Sequence, residues 1–510
     1  MEQLSKLLEE FNAIEKELAL LKGVLALLNW DRDVNLPKKA FNQRANQETL
    51  ISVQVHNLFT SKKLTTLIKK LSKKSVYSKL SNNDKARIDL YNWKLKKLLK
   101  VPKEHIEEYT QTLSLAHHAW QDARTKESYA EFSPHLKKVF DLKKIEAKYI
   151  DPKVHPYSIF LDDYERGITM QELDKIFSEL KSELLTMLSK IKASPNYNKI
   201  NSIKPSSFGV YPKDAQMEVL NDVAIKILSD TDRFMLAETI HPFMTSISSD
   251  DIRITTAVRN DPFFSFGSTV HESGHALYEL DFDSKIYETI LSSDSSLSLA
   301  LHESQSRFWE NMICKSESFW KGYYSYYSSK FPFLKKISLD EFYRSINVAM
   351  PTLVRIESDE LTYGLHVIIR YEIEKDLFED KIKVEDLEHI WNSKYQEYLG
   401  IVPSKPSKGV IQDSHWSGGN IGYFPTYVLG SIYSAMIFNA IKKEHPQVEK
   451  EIEQLDFTFV KSWLKEHIHK YGASKTSKEI ILAACGKDLD VKDFTSYLKN
   501  KYYTIYGIKE

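Results

Sequence analysis

Leu4, Leu7, Phe11, Ile14, Leu18 and Leu21 follow one another at alternating spacings of three and four, with Leu8 beside them. That is one apolar stripe along an amphipathic helix. Stripes of the same period recur over 137–149, 171–192, 214–228 and 446–468, and each predicts helix. Period-two alternation is rare. Its clearest case is Ile252-Arg253-Ile254-Thr255-Thr256-Ala257-Val258, a β-branched run that predicts a strand. No linker rich in Gly, Ser or Pro divides the chain, and 193–213 and 402–426 read as loops within one fold. The pattern predicts a mainly α protein with a small β-sheet near its middle and one domain over 1–510. Residues 1–200 are expected as a helical wall or lid subdomain and 201–510 as the part that carries the site.

The strand run leads straight into the residues with the most chemical content. Residues 269–280 read TVHESGHALYEL, so His271 and His275 stand four apart and project from one helical face. Glu272 lies between them, placed to act as a base on a water held by the same metal. Neutral nitrogen donors, an open position and an adjacent carboxylate are what catalytic zinc requires. Two satisfied core histidines are the bland alternative, and with 16 His in the chain a bare match is only suggestive. Val270, Ala276 and Leu277 fit the buried side of that helix, and Gly274 admits a close neighbour. A third ligand is still needed. Residues 301–311, LHESQSRFWEN, offer Glu303, 28 residues after His275, with His302 as a rival and Glu310 as a weaker one.

Composition narrows the class. Lys+Arg and Asp+Glu are both 70, so no global basic field points to nucleic acid, and short Lys-rich stretches such as 62–74 read as solvated helix faces. Two cysteines, Cys314 and Cys485, make neither a disulfide framework nor a thiolate metal site. The N-terminal residues carry acids where a leader would carry a basic and then an apolar stretch, and Leu18 to Trp30 is too short and too interrupted to span a bilayer. Cytoplasmic location and no membrane partner are the expectations.

The motifs together are specific. HPF at 241–243, DIRIT at 251–255, HESGH at 271–275, HESQ at 302–305 and IQDSHW at 411–416 resemble the markers of the carboxypeptidase Taq (M32) family. Similar stretches include LLNWDRDVNLP at 27–37, VRIESDELTYGLHVIIRYEIE at 354–374 and GYFPTYVLGSIYSA at 422–435, so the resemblance covers nearly the whole chain. It implies a helical gluzincin of the neurolysin and angiotensin-converting-enzyme type, with a deep groove and a sheet beside the HExxH helix. It also implies a homodimeric metallocarboxypeptidase of broad preference that acts on peptides with Zn2+ or sometimes Co2+.

The resemblance assigns roles residue by residue. The metal ligands become His271, His275 and Glu303, and the base Glu272. Arg355 is expected to grip the terminal carboxylate, with Arg370 the competing cation. Tyr423, and alternatively Tyr427, is expected near that carboxylate and the scissile carbonyl, and His415 as a donor to the oxyanion. His241, Asp251, Arg253 and Asp413 are expected behind these groups, orienting ligands or the strand. The strand at 252–258 is expected at a sheet edge, with the substrate paired along it.

Overall fold

A computed structural model describes residues 2–509 as helices around one three-stranded sheet. The chain folds into two compact units that do not follow chain order. The first comprises the chain up to Leu95, Pro205–Tyr343 and Ile437–Asp488; the second comprises Lys96–Lys204, Arg344–Met436 and the chain from Leu489 onward. The stretch 1–200 thus contributes to both. Among the described residues no helix is long and apolar enough to cross a membrane.

In the first unit the leading stripe forms the helix Glu2–Val34, which buries Phe11, Ile14 and Leu18. Its Glu15 is buried too, and is tolerated because Arg87 Nε donates to it at 2.7 Å and the Ile290 amide at 3.0 Å. The sheet runs β1 (Phe234–Glu238), β3 (Asp251–Thr256), β2 (Met244–Ser248) in spatial order. β3 pairs parallel with β1 and antiparallel with β2, for example Phe234 opposite Ile252 and Met244 opposite Ile254. The run expected as an edge strand is therefore the central one. Both of its hydrogen-bonding sides are occupied, and a peptide cannot add to it. Thr256 and Ser265 then tie β3 to the helix Pro262–Leu280, which carries the HExxH residues. Asp261 caps that helix by accepting from the Phe263 amide, and Pro262 supplies a preset first turn. Phe266 packs on Trp320 and Tyr323, which anchors the near half of the helix in an aromatic core.

The stripe at 446–468 becomes two helices, Val448–Glu453 and Thr458–His467. Leu455 takes a left-handed φ of 59°, and Asp456 restarts the chain by accepting from the Thr458 amide.

The second unit is organised on the helix Glu360–Phe378, buried on nearly every side. Asp359 caps it by accepting from the Leu361 and Thr362 amides. The helix Met170–Lys192 opens on a capping box, Thr169 with Glu172, and docks through the Tyr371 hydroxyl on the Met170 carbonyl at 3.0 Å. Most of 402–424 is irregular, and it is this stretch that carries Asp413, His415 and Tyr423.

Candidate active site

In the first unit His271, His275 and Glu303 each present a donor atom, and the three atoms lie within 4.8 Å of one another. Helical spacing places the imidazoles at 271 and 275. Glu303 comes from the helix Leu299–Arg307, which Ser298 caps by accepting from the Leu301 amide. Gly274 is what lets the two helices approach. A Cβ there would sit 2.5 Å from the Gln305 carbonyl oxygen and 2.7 Å from Ser306 Cα, inside contact distance of rigid backbone. One Glu303 oxygen stands 3.6 Å from both His271 Nε2 and His275 Nε2.

The far side of each of these three side chains is occupied. Glu310 Oε2 contacts His271 Nδ1 at 3.0 Å, while His302 Nδ1 contacts His275 Nδ1 at 2.5 Å and His302 Nε2 reaches Glu279 Oε1 at 3.0 Å. Arg307 Nε donates to Glu303 Oε1 at 2.8 Å and its Nη1 to Glu310 at 3.2 Å. His302 and Glu310, the rival candidates, thus stand one bond behind the three converging side chains. With both Nδ1 atoms engaged, the Nε2 lone pairs converge on the Glu303 carboxylate. Two imidazoles and one carboxylate fit a divalent metal with an open position.

The two backings differ electrostatically. Burial pushes the His275 imidazole down to about 4, helped by its neighbour His302. Burial also disfavours charge on His271, but Glu303 and Glu310 outweigh it and the imidazole is raised. Glu303 would rise on burial, yet Arg307 and the two imidazoles hold it well below the usual carboxylate range. Glu272 is raised, chiefly by burial, with His271 and His275 opposing. A carboxyl brought nearer neutrality suits a proton shuttle.

The second unit assembles a different cluster. Asp413 receives Arg355 through Nη2 at 2.9 Å and Arg370 through Nε at 2.7 Å. Arg355 also donates from Nη1 to the Tyr363 hydroxyl at 2.9 Å. Burial would raise Asp413, but the two guanidiniums hold it far below its ordinary range. Two cations on one anion leave an excess positive charge. His415 Nε2 lies 3.2 Å from the Tyr427 hydroxyl, and its buried Nδ1 has no hydrogen-bond partner among the described residues. Burial, with Arg355 and Arg370 adding to it, lowers His415 to about 4, so the ring is neutral. Tyr423 packs against His415 and Tyr427. The structure therefore gathers Arg355, Asp413, His415, Tyr423 and Tyr427, with Arg370 fully buried behind them.

His241 lies exposed between β1 and β2. Arg253 pairs with Asp251 through Nε at 2.8 Å and stacks over Trp30. Thr255 ties the HPF segment to β3 through both the Phe243 amide and its carbonyl. Sequence reasoning did not find Glu279 or Arg307. Each stands four residues after a ligand on the same helix, which is the signal that marks them.

The family model of carboxypeptidase Taq (M32) metallopeptidases matches residues 10–502. The chain is 36% identical to "Carboxypeptidase 1" of Bacillus subtilis (strain 168), covering 98% of both chains. It is 33% identical to "Thermostable carboxypeptidase 1" of Pyrococcus furiosus, covering 94% of each. The crystal structure of an M32 carboxypeptidase from Deinococcus radiodurans R1 superposes with a TM-score of 0.93 at 31% identity, over 99% of this chain and 100% of that one.

Proposed function

The chain belongs to the carboxypeptidase Taq (M32) metallopeptidases and is a metallocarboxypeptidase, and on that premise we propose that it removes single residues from peptide C-termini with broad preference, using zinc. His271, His275 and Glu303 are the proposed ligands and Glu272 the general base. The observation that carries this reading is the convergence of two Nε2 atoms and one carboxylate whose other faces are already bonded. Cobalt suits the same donors. A bound zinc ion supplies a Lewis acid and makes a water acidic enough to lose a proton near neutral pH.

Glu272 takes the proton of the attacking water on its carboxylate and delivers it to the leaving amine nitrogen. His415, a neutral ring, donates an N–H to the oxyanion, with Tyr423 beside it. Arg355 receives the substrate's terminal carboxylate, since Asp413 cannot neutralise both guanidiniums and Arg355, though largely buried, keeps some exposed surface where Arg370 has none. Tyr427 lines the same cation, whose guanidinium stands 4.7 Å from its ring centre. Asp413 is proposed to hold the two guanidiniums from behind, accepting from both. His241, Asp251 and Arg253 are proposed as scaffolding of the HPF and strand segments. A homodimer in the cytoplasm is part of the proposal, supported by the family resemblance.

Metal analysis of the purified protein, followed by chelation and add-back on an N-blocked dipeptide, tests the proposal. Zinc should be present, activity should vanish with it, and zinc or cobalt should restore it. Activity that survives complete chelation contradicts the reading.

A further inference from the structure

Three residues of the helix Glu360–Phe378, each four apart, attend to one loop. His366 Nδ1 meets the Tyr395 hydroxyl at 3.0 Å, and that hydroxyl receives Gln412 Nε2 at 3.3 Å. Arg370 donates to Asp413. Glu374, with no exposed surface, takes the next stretch. Its Oε1 accepts from the Trp416 indole Nε1–H at 2.7 Å, and its Oε2 accepts from the Tyr157 hydroxyl at 2.7 Å and from the Gly422 amide at 2.9 Å.

Trp416 immediately follows His415, and Gly422 immediately precedes Tyr423. Gly422 has a φ of 88°, and a Cβ on it would lie 2.9 Å from the Phe160 carbonyl carbon. The turn is thus pressed against the Pro156–Tyr164 helix, with its amide delivered to Glu374. Three donors face the side chain, two of them N–H groups that cannot accept, one on each oxygen, so a group that accepts with both oxygens satisfies them all. We propose that Glu374 is a positioning residue: through Trp416 and Gly422 it fixes both ends of the turn that aims His415 and Tyr423. The inference rests on the catalytic reading of those two residues given above.

Burial raises the Glu374 carboxyl to about 7, against the bonds from Tyr157, Trp416 and Gly422 and the nearby Arg370. This separates positioning from bulk stability. Glu374→Gln keeps the volume, and the buried charge it removes offsets part of the hydrogen bonding it loses, so the fold should survive. It also turns an N–H2 toward a donor, so the turn should shift. On a free-acid peptide, kcat should fall about 10- to 100-fold, the scale of misplacing a catalytic group. KM and zinc content should stay near native. The indole N–H proton signal of Trp416, assigned by its loss in Trp416→Phe, should move in Glu374→Gln. In the Glu374→Gln background, Trp416→Phe should cost less than in the native chain, because the bond it removes is already broken.

A native kcat in Glu374→Gln, or an unmoved indole signal, overturns the inference. Should Glu374→Gln fail to fold, Trp416→Phe tests it from the other end, where a native kcat is equally fatal. His415→Ala and Tyr423→Phe are measured alongside. Native kcat in both removes the catalytic reading of the loop and the inference with it, whereas native kcat in Glu374→Gln alone removes only the inference.

Discussion

The proposed metal ligands of the first unit sit on two helices, and each is backed by a neighbour on one of the same two helices or on the π-helical segment Phe308–Cys314 that follows. The charged cluster of the second unit is built on irregular chain, with Arg355 in a short 3₁₀ turn and Asp413 and His415 in a loop strapped to one buried helix. The first arrangement has its geometry set by backbone hydrogen bonding, four residues at a time. The second must be held by buried charge, two cations on one anion. A rigid scaffold suits a group that must keep its coordination through every turnover. A cationic cluster on loop chain suits the proposed acceptance and release of a carboxylate.

The largest effect is expected where the first region does chemistry. Glu272→Gln should retain zinc yet lose about 10² to 10⁴ in kcat, because an amide cannot take the water's proton; appreciable turnover in this variant would remove the base assignment. Arg355→Ala comes next. Losing a charge-assisted partner in a desolvated site costs roughly 2–5 kcal/mol, about 30- to several-thousand-fold in kcat/KM. Zinc should stay bound, because the two clusters are built from separate residues. If Arg355→Ala loses zinc, the division of labour between the regions is wrong.

Smaller effects grade the first region internally. Glu303→Ala removes a ligand and should weaken zinc most in a chelator competition. His302→Ala removes the support of a ligand and should weaken it by about 10- to 100-fold. The reverse order would make His302 the ligand. Gly274→Ala drives a methyl into the Gln305 carbonyl. It should cost about 1–3 kcal/mol in denaturant unfolding, as overpacked cores do; an unchanged midpoint would mean that the helices separate freely.

How far these regions could be read in the sequence follows from the same contrast. His271, His275 and Glu272 announce themselves, because an imidazole pair at a spacing of four has one geometric meaning on a helix. Glu303 is harder, since its approach depends on Gly274 and on a return of the chain that no periodicity encodes. The Arg355–Asp413–Arg370 cluster joins residues 43 and 58 apart; the family resemblance supplies Arg355 and Arg370 as rival cations and Asp413 separately, and nothing in the sequence joins them. The strand Asp251–Thr256 was recognisable as a strand. Its central place was not, because alternation reports which faces are buried and says nothing about how many strands flank it. Likewise the apolar stripe at 446–468 runs on past Leu455, where a left-handed backbone ends the helix without any change of period.

The central claim, that a metal group and a cation together make an exopeptidase, is tested most directly by mass spectrometry of the products from paired peptides, one with a free C-terminus and one amidated. The account predicts a ladder of single-residue losses from the free acid, little cleavage of the amide, and collapse of the difference between them in Arg355→Ala. Internal cleavage, or equal cleavage of both peptides by the native enzyme, would contradict it.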